Sequence, residues 1–502
     1  MHEHVLGSAR PSNEPVLSYA PDSPERAALR AELRAQLAGE REVCAVIGGE
    51  RVRTGRRRPM VCPHRHRHVL GHYEEADAAL TTRAIEAALA AAPAWRATPW
   101  HERLAIFERA AELLSGPWRP RLNAATMLDQ SKVIVQAEID AACELIDFWR
   151  FNPWFAEQIY REQPRSAPGV RNRVEYRPLE GFVFAVTPFN FTSIQANLPT
   201  AAAMMGNVVV WKPAPNAMLA PSYVMELLEE AGLPPGVINL VPGHTEVGEA
   251  ALVHPELAGI HFTGSVRTFR HFYRTVGEHI ERYRSYPRLV GETGGKDFVL
   301  VHPSADLEAV HVALIRGAYE YQGQKCSAAS RAFVPRSVWP ALRDRLVATM
   351  AELRMGDVTD PETFLGAVID ERAWKRITAA IERARGEAGY RVVAGGGADA
   401  SEGWFIEPTL IEADDPGSEL MREELFGPVL TVHVYDDARF DEILTVCDRA
   451  TPYGLTGAVF ARDRTVIARA TEALAFAAGN FYVNDKPTGA VVDQQPFGGG
   501  RL

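Results

Sequence analysis

Apolar positions in the first third of the chain recur at three- and four-residue spacing. Ala84, Ile85, Ala88 and Leu89, and then Leu104, Ile106, Phe107, Ala110, Leu113 and Leu114, make the stripes that amphipathic helices require. The spacing predicts helices from Ala76 to Phe155, with Cys143 as core and Glu144 as a surface carboxylate or one turned into a cleft. Beyond residue 180 the pattern changes to short unbroken apolar runs separated by helical segments. Gly181–Phe189 and Val208–Pro213 read as strands around a helix at Ser193–Met205, and Ala217–Ala231 reads as a helix stopped by Gly232 with Pro234 and Pro235 beyond. Val237–Val241, Gly259–Thr263 and Phe298–Val301 extend the strand series. After residue 326 the alternation restarts, with strands at 331–335, 391–394, 408–412, 430–435, 458–461 and 478–484 and helices at 339–353, 373–388 and 440–448. Strands alternating with helices imply a doubly wound, largely parallel sheet in each half, and such sheets bind ligands at the carboxyl ends of their strands.

Two stretches break the pattern. Residues 1–40 are polar and proline-punctuated, with one helical run at 23–38, and read as a surface arm. Residues 156–180 are Arg-rich, spaced by Pro164, Pro168 and Pro178, and end in the strand-like Arg173–Pro178. They read as a hairpin reaching another subunit.

At 502 residues the chain is too long for one simple core, and its 46% hydrophobic and 24% charged content is ordinary for a globular protein. A net charge of −10 argues against a nucleic-acid partner, and no apolar run approaches membrane-spanning length. The first ten residues lack a secretory pattern, and five scattered cysteines point to a reducing compartment, so a cytoplasmic location is expected. Cys62 with His64, His66 and His68 could suggest a metal. Alternation in a strand would put the three histidines on one face with no acidic partner nearby in sequence, and no metal site is expected. Only six of the 54 basic residues are Lys, and four of the six (Lys212, Lys296, Lys325, Lys486) fall in motif-like stretches. Chance and a place for a compact ammonium are both open readings.

The chemistry concentrates around Cys326. This thiol sits among small and polar residues in Tyr321-Gln-Gly-Gln-Lys-Cys-Ser-Ala, and Gly291-Glu292-Thr-Gly-Gly-Lys296 precedes it, with Glu292 34 positions upstream. A thiol and a carboxylate in two glycine-rich settings suggest acyl chemistry through a thioester, although a lone Cys is commonly inert core filling. Phe262-Thr-Gly264-Ser265, between a strand and a helix, can cradle a diphosphate or be a plain turn. Lys212 at one strand end could reach ribose hydroxyls, and Asn190 at another could donate to an oxyanion.

Thr187-Pro-Phe-Asn-Phe191, Trp211-Lys-Pro213, Phe262–Ser265, Gly291–Lys296, Gly323–Ser327, Glu423–Pro428 and Pro496–Gly499 occur in an order that resembles the NAD(P)-dependent aldehyde dehydrogenase superfamily. Phe189–Thr192, Tyr286–Glu292, Gly479–Lys486 and Gln494–Phe497 narrow the resemblance to its 1-pyrroline-5-carboxylate dehydrogenase branch. The resemblance implies oxidation of L-glutamate γ-semialdehyde to glutamate in proline catabolism, with NAD as cofactor and NADP left open. Cys326 would be the nucleophile, Asn190 with the Cys326 N–H the oxyanion donors, and Glu292 the base for thioester hydrolysis. Thr187, Pro188, Phe189, Lys212, Gly248, Gly264, Ser265, Glu424 and Phe426 would contact the cofactor. Ser327, Gly489 and Ala490 would anchor the substrate carboxylate beside Phe497, with Phe191 and Glu144 as further substrate candidates.

The implied architecture is aldehyde-dehydrogenase-like α/β. It comprises a Rossmann-type doubly wound cofactor domain (1–155 and 181–297), an oligomerisation hairpin (156–180), a second α/β catalytic domain (298–484) and a substrate-anchor loop with a shortened C-terminus (485–502). The expected assembly is a homodimer or higher homo-oligomer, weakened if a C-terminal arm is absent. Three departures from the family pattern stand out: Pro215 where many relatives carry a ribose-binding carboxylate, Asp493 where a small residue is usual, and the early end at Leu502. The last leaves a second reading, a catalytically impaired paralogue with a nucleotide-binding or other non-catalytic role, and a dehydrogenase for another acid semialdehyde is a third.

Overall fold

The computed structural model describes residues 8–501; the expectation for the first ten residues falls largely, and that for Leu502 wholly, outside them. The chain divides into two compact units, one of residues 1–61, 69–129 and 137–291 and one of residues 62–68, 130–136 and 292–502.

The first unit is built on a seven-stranded sheet in the order 288–292, 257–263, 182–186, 208–212, 238–240, 45–47 and 50–52. The four strands from 257–263 to 238–240 are parallel, and 45–47 runs antiparallel to both of its neighbours. Phe182, Phe184, Val209, Val210 and Trp211 are wholly buried, as a sheet covered on both faces requires. Helices Ala78–Ala97, Trp100–Ser115, Arg119–Gln130 and Leu145–Arg161 fill the predicted helical region, and the last is entered through a π-helical stretch at Glu138–Glu144. The wider turn there brings the carboxylate of Asp140 to the start of helix Thr192–Met204, where it accepts from Thr192 N (2.9 Å) and Ser193 N (2.8 Å). Asp129 does the same for Leu219 N (2.8 Å) and Ala220 N (3.2 Å) at helix Leu219–Glu230.

Residues 8–19 are more than a surface arm. Glu157, Asp147 and Glu138 accept main-chain N–H bonds from Ser8, Glu14 and Leu17, and the Tyr19 ring is buried with its hydroxyl on Glu138 at 2.8 Å. The hairpin expected at 156–180 does not form as such. The helix continues to Arg161, and 162–180 has no strand. Side chains close this excursion instead: Gln163 Oε1 accepts from Val174 N (2.9 Å), and Asn172 Nδ2 donates to Arg165 O (3.0 Å).

The second unit is a seven-stranded sheet in the order 390–394, 409–413, 429–435, 329–335, 297–301, 456–460 and 480–483. All its pairs are parallel except 390–394 with 409–413. Strand 297–301 is central in this sheet, with Phe298, Val299, Leu300 and Val301 wholly buried. Helix Leu307–Tyr319, which the apolar pattern had not singled out, begins on an Asp306 cap and packs its Val310–Leu314 face into this core. His64 lies in the turn before strand Arg65–Glu74, so it does not share a strand face with His66 and His68. It is buried, with Nδ1 3.1 Å from Ser131 Oγ and Nε2 3.6 Å from Asp357. An acidic neighbour is therefore present. Among the described residues no cluster of three or more His, Cys, Asp or Glu could hold a metal.

Candidate active site

In the first unit, chain order and spatial order reverse between strands 182–186 and 257–263, the place where doubly wound sheets take ligands. Val186 pairs with both Lys212 and Phe262, so Thr187, Lys212 and Gly264 stand at one carboxyl edge. Thr187 is fixed from two sides: its N–H donates to Lys212 O (3.1 Å) and its Oγ1 accepts from Trp211 Nε1 (3.0 Å). Burial pulls the Lys212 ammonium down to about 8. Pro188 and Asn190 are buried, Phe189 and Phe191 half-buried, and all four lie in the turn that leads into the helix capped by Asp140. Glu144 turns its Oε2 to Ser193 Oγ at 3.1 Å.

Gly264 precedes Ser265, whose Oγ caps helix Val266–Glu278 by accepting from Thr268 N (3.3 Å). A Cβ on Gly264 would press on the Phe262 ring, itself stacked on Phe269. At Gly248 a Cβ would meet nothing within 4 Å. A glycine turn at a helix N-terminus, a lysine at the strand edge and open space beside Gly248 fit an adenine dinucleotide.

In the second unit the candidate residues gather at the amino ends of the strands, the edge opposite to the one the general rule favours. Gly294–Lys296 precedes strand 297–301, Cys326 precedes 329–335, and Glu424–Pro428 precedes 429–435. The glycines make these loops nest. A Cβ on Gly294 would collide with the Glu424 carboxylate, one on Gly295 with Asp297 and the Cys326 carbonyl, and one on Gly323 with the Gly427 carbonyl. Gly295 N donates to Glu424 Oε1 at 3.0 Å, and Phe426 holds a left-handed φ of 52° in the same loop.

Cys326 follows three consecutive left-handed residues, Tyr321 (φ 52°), Gln322 (φ 56°) and Gly323 (φ 64°). For two side-chain-bearing residues this is a costly conformation, and the glutamines hold it. Gln322 Nε2 donates to Ser131 O (2.9 Å) and Ala367 O (2.7 Å), while its Oε1 accepts from Gly366 N (3.0 Å). Gln324 Oε1 accepts from Ile369 N (2.9 Å). Gln324 falls within the Gly323–Ser327 motif and Gln322 just before it, but partners at residues 131 and 366–369 are too distant in sequence for either role to be read from it.

Part of Cys326 reaches the surface, but its thiol stands in a densely packed setting. Burial, with the carboxylates of Asp297, Glu424 and Glu292, pushes the thiol well above its usual range. Glu292 is pushed up to about 7 by burial, against the pull of a hydrogen bond from Gly499 N–H. Glu424 also rises to about 7 through burial, opposed by Gly295 N–H, Lys296 and Arg376. Lys296 is wholly enclosed and falls to about 7, from burial first and then the Arg331 charge. Asp297, equally enclosed, rises to about 8 although Thr456 N donates to it at 2.7 Å. Lys325 pairs with Glu320 at 3.2 Å. Carboxylates kept near neutral pH beside a thiol are suited to moving protons in acyl chemistry.

Ser327 is buried, with Oγ 2.7 Å from Thr488 Oγ1. Thr488 leads into Gly489 (φ 91°) and Ala490, so the three proposed anchors adjoin one pair of hydroxyls. Phe497 is 41% exposed. The residues after it lie against the sheet. Gly498 N donates to Asn480 Oδ1 (3.3 Å), Gly500 N donates to Gly454 O (2.9 Å), and Arg501 donates to Asp448 (2.6 Å). Asp493 adopts φ 71° in the loop before Gln494.

The model of the aldehyde dehydrogenase family matches residues 52–502. The human mitochondrial delta-1-pyrroline-5-carboxylate dehydrogenase is 48% identical over 497 residues, 98% of this chain and 88% of that protein. The delta-1-pyrroline-5-carboxylate dehydrogenase of Agaricus bisporus is 47% identical, with 98% and 90% covered. Among solved structures, the Mycobacterium tuberculosis delta-pyrroline-5-carboxylate dehydrogenase bound with NAD superposes with a TM-score of 0.96 at 56% identity, covering 99% of this chain and 92% of that one. A Thermus 1-pyrroline-5-carboxylate dehydrogenase with bound NAD gives 0.92 at 33% identity, with 98% and 94% covered. The ordered motifs, the two largely parallel sheets and these whole-length matches together place the chain in the aldehyde dehydrogenase family.

Proposed function

We propose that this protein oxidises L-glutamate γ-semialdehyde, the open form of 1-pyrroline-5-carboxylate, to L-glutamate with NAD, as a step of proline breakdown. The observation that carries this reading is the arrangement around Cys326. The thiol is followed directly by Ser327, whose hydroxyl is tied to the Thr488–Gly489–Ala490 turn, and Glu292 faces the thiol electrostatically. A nucleophile beside a neutral hydroxyl and backbone amides suits an aldehyde that also bears a carboxylate, because an anion needs donors without bulk.

In the proposed mechanism the Cys326 sulfur attacks the aldehyde carbon as a thiolate, its proton having passed to solvent. By the family resemblance the Cys326 N–H and the Asn190 amide would hold the resulting oxyanion, each such donor typically contributing about 3–4 kcal/mol. NAD, when bound, supplies the hydride acceptor that leaves a thioester on Cys326. Thr187, Pro188, Phe189, Lys212, Gly248, Gly264 and Ser265 would hold the cofactor's adenosine and diphosphate side, and Glu424 and Phe426 its nicotinamide side. Glu292 then takes a proton from water, and the hydroxide releases glutamate and regenerates the thiol. Phe497, Phe191 and Glu144 complete the proposed substrate contacts.

We also place the protein in the cytoplasm as a homo-oligomer. Five free cysteines support a reducing compartment, although mammalian relatives bear mitochondrial names. The excursion at 162–180, with Val170 and Val174 exposed, supports contact with another copy. Among the described residues no helix is long and apolar enough to cross a membrane.

The deciding assay is NADH formation from glutamate γ-semialdehyde, which Cys326→Ala abolishes. Nucleotide binding without turnover at any pH would remove the catalytic claim, and far faster oxidation of simple aliphatic aldehydes would remove the substrate.

A further inference from the structure

We infer that Thr488 is the positioning residue that makes Ser327 a hydrogen-bond donor, and so sets the preference for an aldehyde carrying a carboxylate. This deepens the reading above and rests on it. The Ser327 and Thr488 hydroxyls meet at 2.7 Å, with the residues only 6% and 2% exposed. A pair of hydroxyls shares one proton between its oxygens, and either oxygen can be the donor. The direction decides what Ser327 offers. If Ser327 donates to Thr488, its remaining lone pairs face the substrate and repel a carboxylate. When Thr488 donates to Ser327, the Ser327 proton is free for the anion, and the chain Thr488 to Ser327 to carboxylate is polarised along one direction.

The surroundings fix Ser327 in place while leaving that choice to Thr488. The Ser327 carbonyl accepts from Thr456 Oγ1 at 3.5 Å, and Thr456 is itself held through its N–H to Asp297 at 2.7 Å. The side-chain oxygen is therefore the part of Ser327 still to be oriented. Gly489 follows Thr488 at φ 91°, which turns the chain sharply after the hydroxyl. A Cβ at Gly489 would stand 3.3 Å from Lys486 Nζ, so a cation neighbours the same turn and favours an anion there.

The test compares kcat/KM for glutamate γ-semialdehyde with that for propanal, which has no carboxylate, in the wild type, Thr488→Val, Thr488→Ser, Ser327→Ala and the double variant Ser327→Ala/Thr488→Val. Binding of L-glutamate, which keeps the carboxylate, is titrated alongside and needs no turnover. Thr488→Val is expected to lower the semialdehyde-to-propanal ratio roughly tenfold, mostly through KM, and to weaken glutamate binding similarly. Thr488→Ser is expected to restore both. On the Ser327→Ala background Thr488→Val should add nothing, because the two act as one relay. A wild-type ratio kept in Thr488→Val, an equal loss for both aldehydes, or a further loss on the Ser327→Ala background would each overturn the inference. A wild type with no preference for the semialdehyde would overturn the substrate reading and the inference with it.

Discussion

Replacing Gln322 by Leu removes its amide while keeping nearly the same volume, which isolates the hydrogen bonds that hold the Cys326 turn. The native side chain satisfies two carbonyls, Ser131 O at 2.9 Å and Ala367 O at 2.7 Å, and one N–H, Gly366 N at 3.0 Å. Gln322 is 1% exposed, so all three groups would be stranded in a buried setting. Each such loss costs about 1–3 kcal/mol, and partial relaxation puts the sum at about 3–6 kcal/mol. The left-handed turn at Tyr321 and Gln322 would no longer be compensated and would relax, shifting Cys326. A thermal melt followed by tryptophan fluorescence checks this. Trp404 is a suitable reporter because its carbonyl accepts from Val368 N (2.9 Å) in the strap that Gln322 grips. The expected fall in midpoint is on the order of 10 °C. Turnover should fall by about 10²-fold or more, since small displacements of a reacting group are expensive. An unchanged midpoint with full turnover would show that the glutamine does not hold the turn. A lower midpoint with unchanged turnover would show that the turn does not position Cys326.

Three further outcomes follow from the same geometry. Glu292→Gln should cut steady-state turnover by about 10²–10⁴-fold while leaving a single-turnover burst of NADH, and wild-type turnover should fall as pH drops through about 7, where protonation removes the base; a profile flat between about pH 6 and 8 would exclude Glu292 as that base. Gly294→Ala places a methyl group on the Glu424 carboxylate and displaces it from Gly295 N–H, so the KM for NAD should rise roughly tenfold, and unchanged NAD affinity would remove Glu424 from the cofactor site. Asp140→Ala uncaps Thr192 N and Ser193 N and should cost about 2 kcal/mol in denaturant unfolding, with an unaltered midpoint showing that the helix needs no such cap.

Some of this architecture was legible because it rests on local chemistry. Val208–Lys212 reads as a strand because a buried parallel strand has no polar face to show, and it is one. Phe440–Arg449 and Ala78–Ala97 carry their helical periodicity openly. Gly291–Lys296 and Gly323–Ser327 announced themselves because loops that nest against carboxylates and carbonyls leave room only for glycine. The excursion at 156–180 reads as a strand because Val174 and Tyr176 carry strand propensity, whereas a strand also needs a partner edge, and within this segment side chains such as Gln163 take the main-chain groups instead.

Thus the sequence alone determined the order of the elements, the family and the identity of the thiol and its candidate base, all of which depend on residue type at close spacing. Tertiary structure decided that Cys326 stands at the amino ends of the second sheet, and that Gln322, Asp140 and Thr488 matter. Each of those depends on hydrogen bonds between residues tens to hundreds of positions apart, such as Gln322 with Ser131, Asp140 with Thr192 and Ser327 with Thr488. A polar side chain in such a pairing looks like any surface residue until its partner is folded against it, because its role lies in satisfying a buried group and not in its own type.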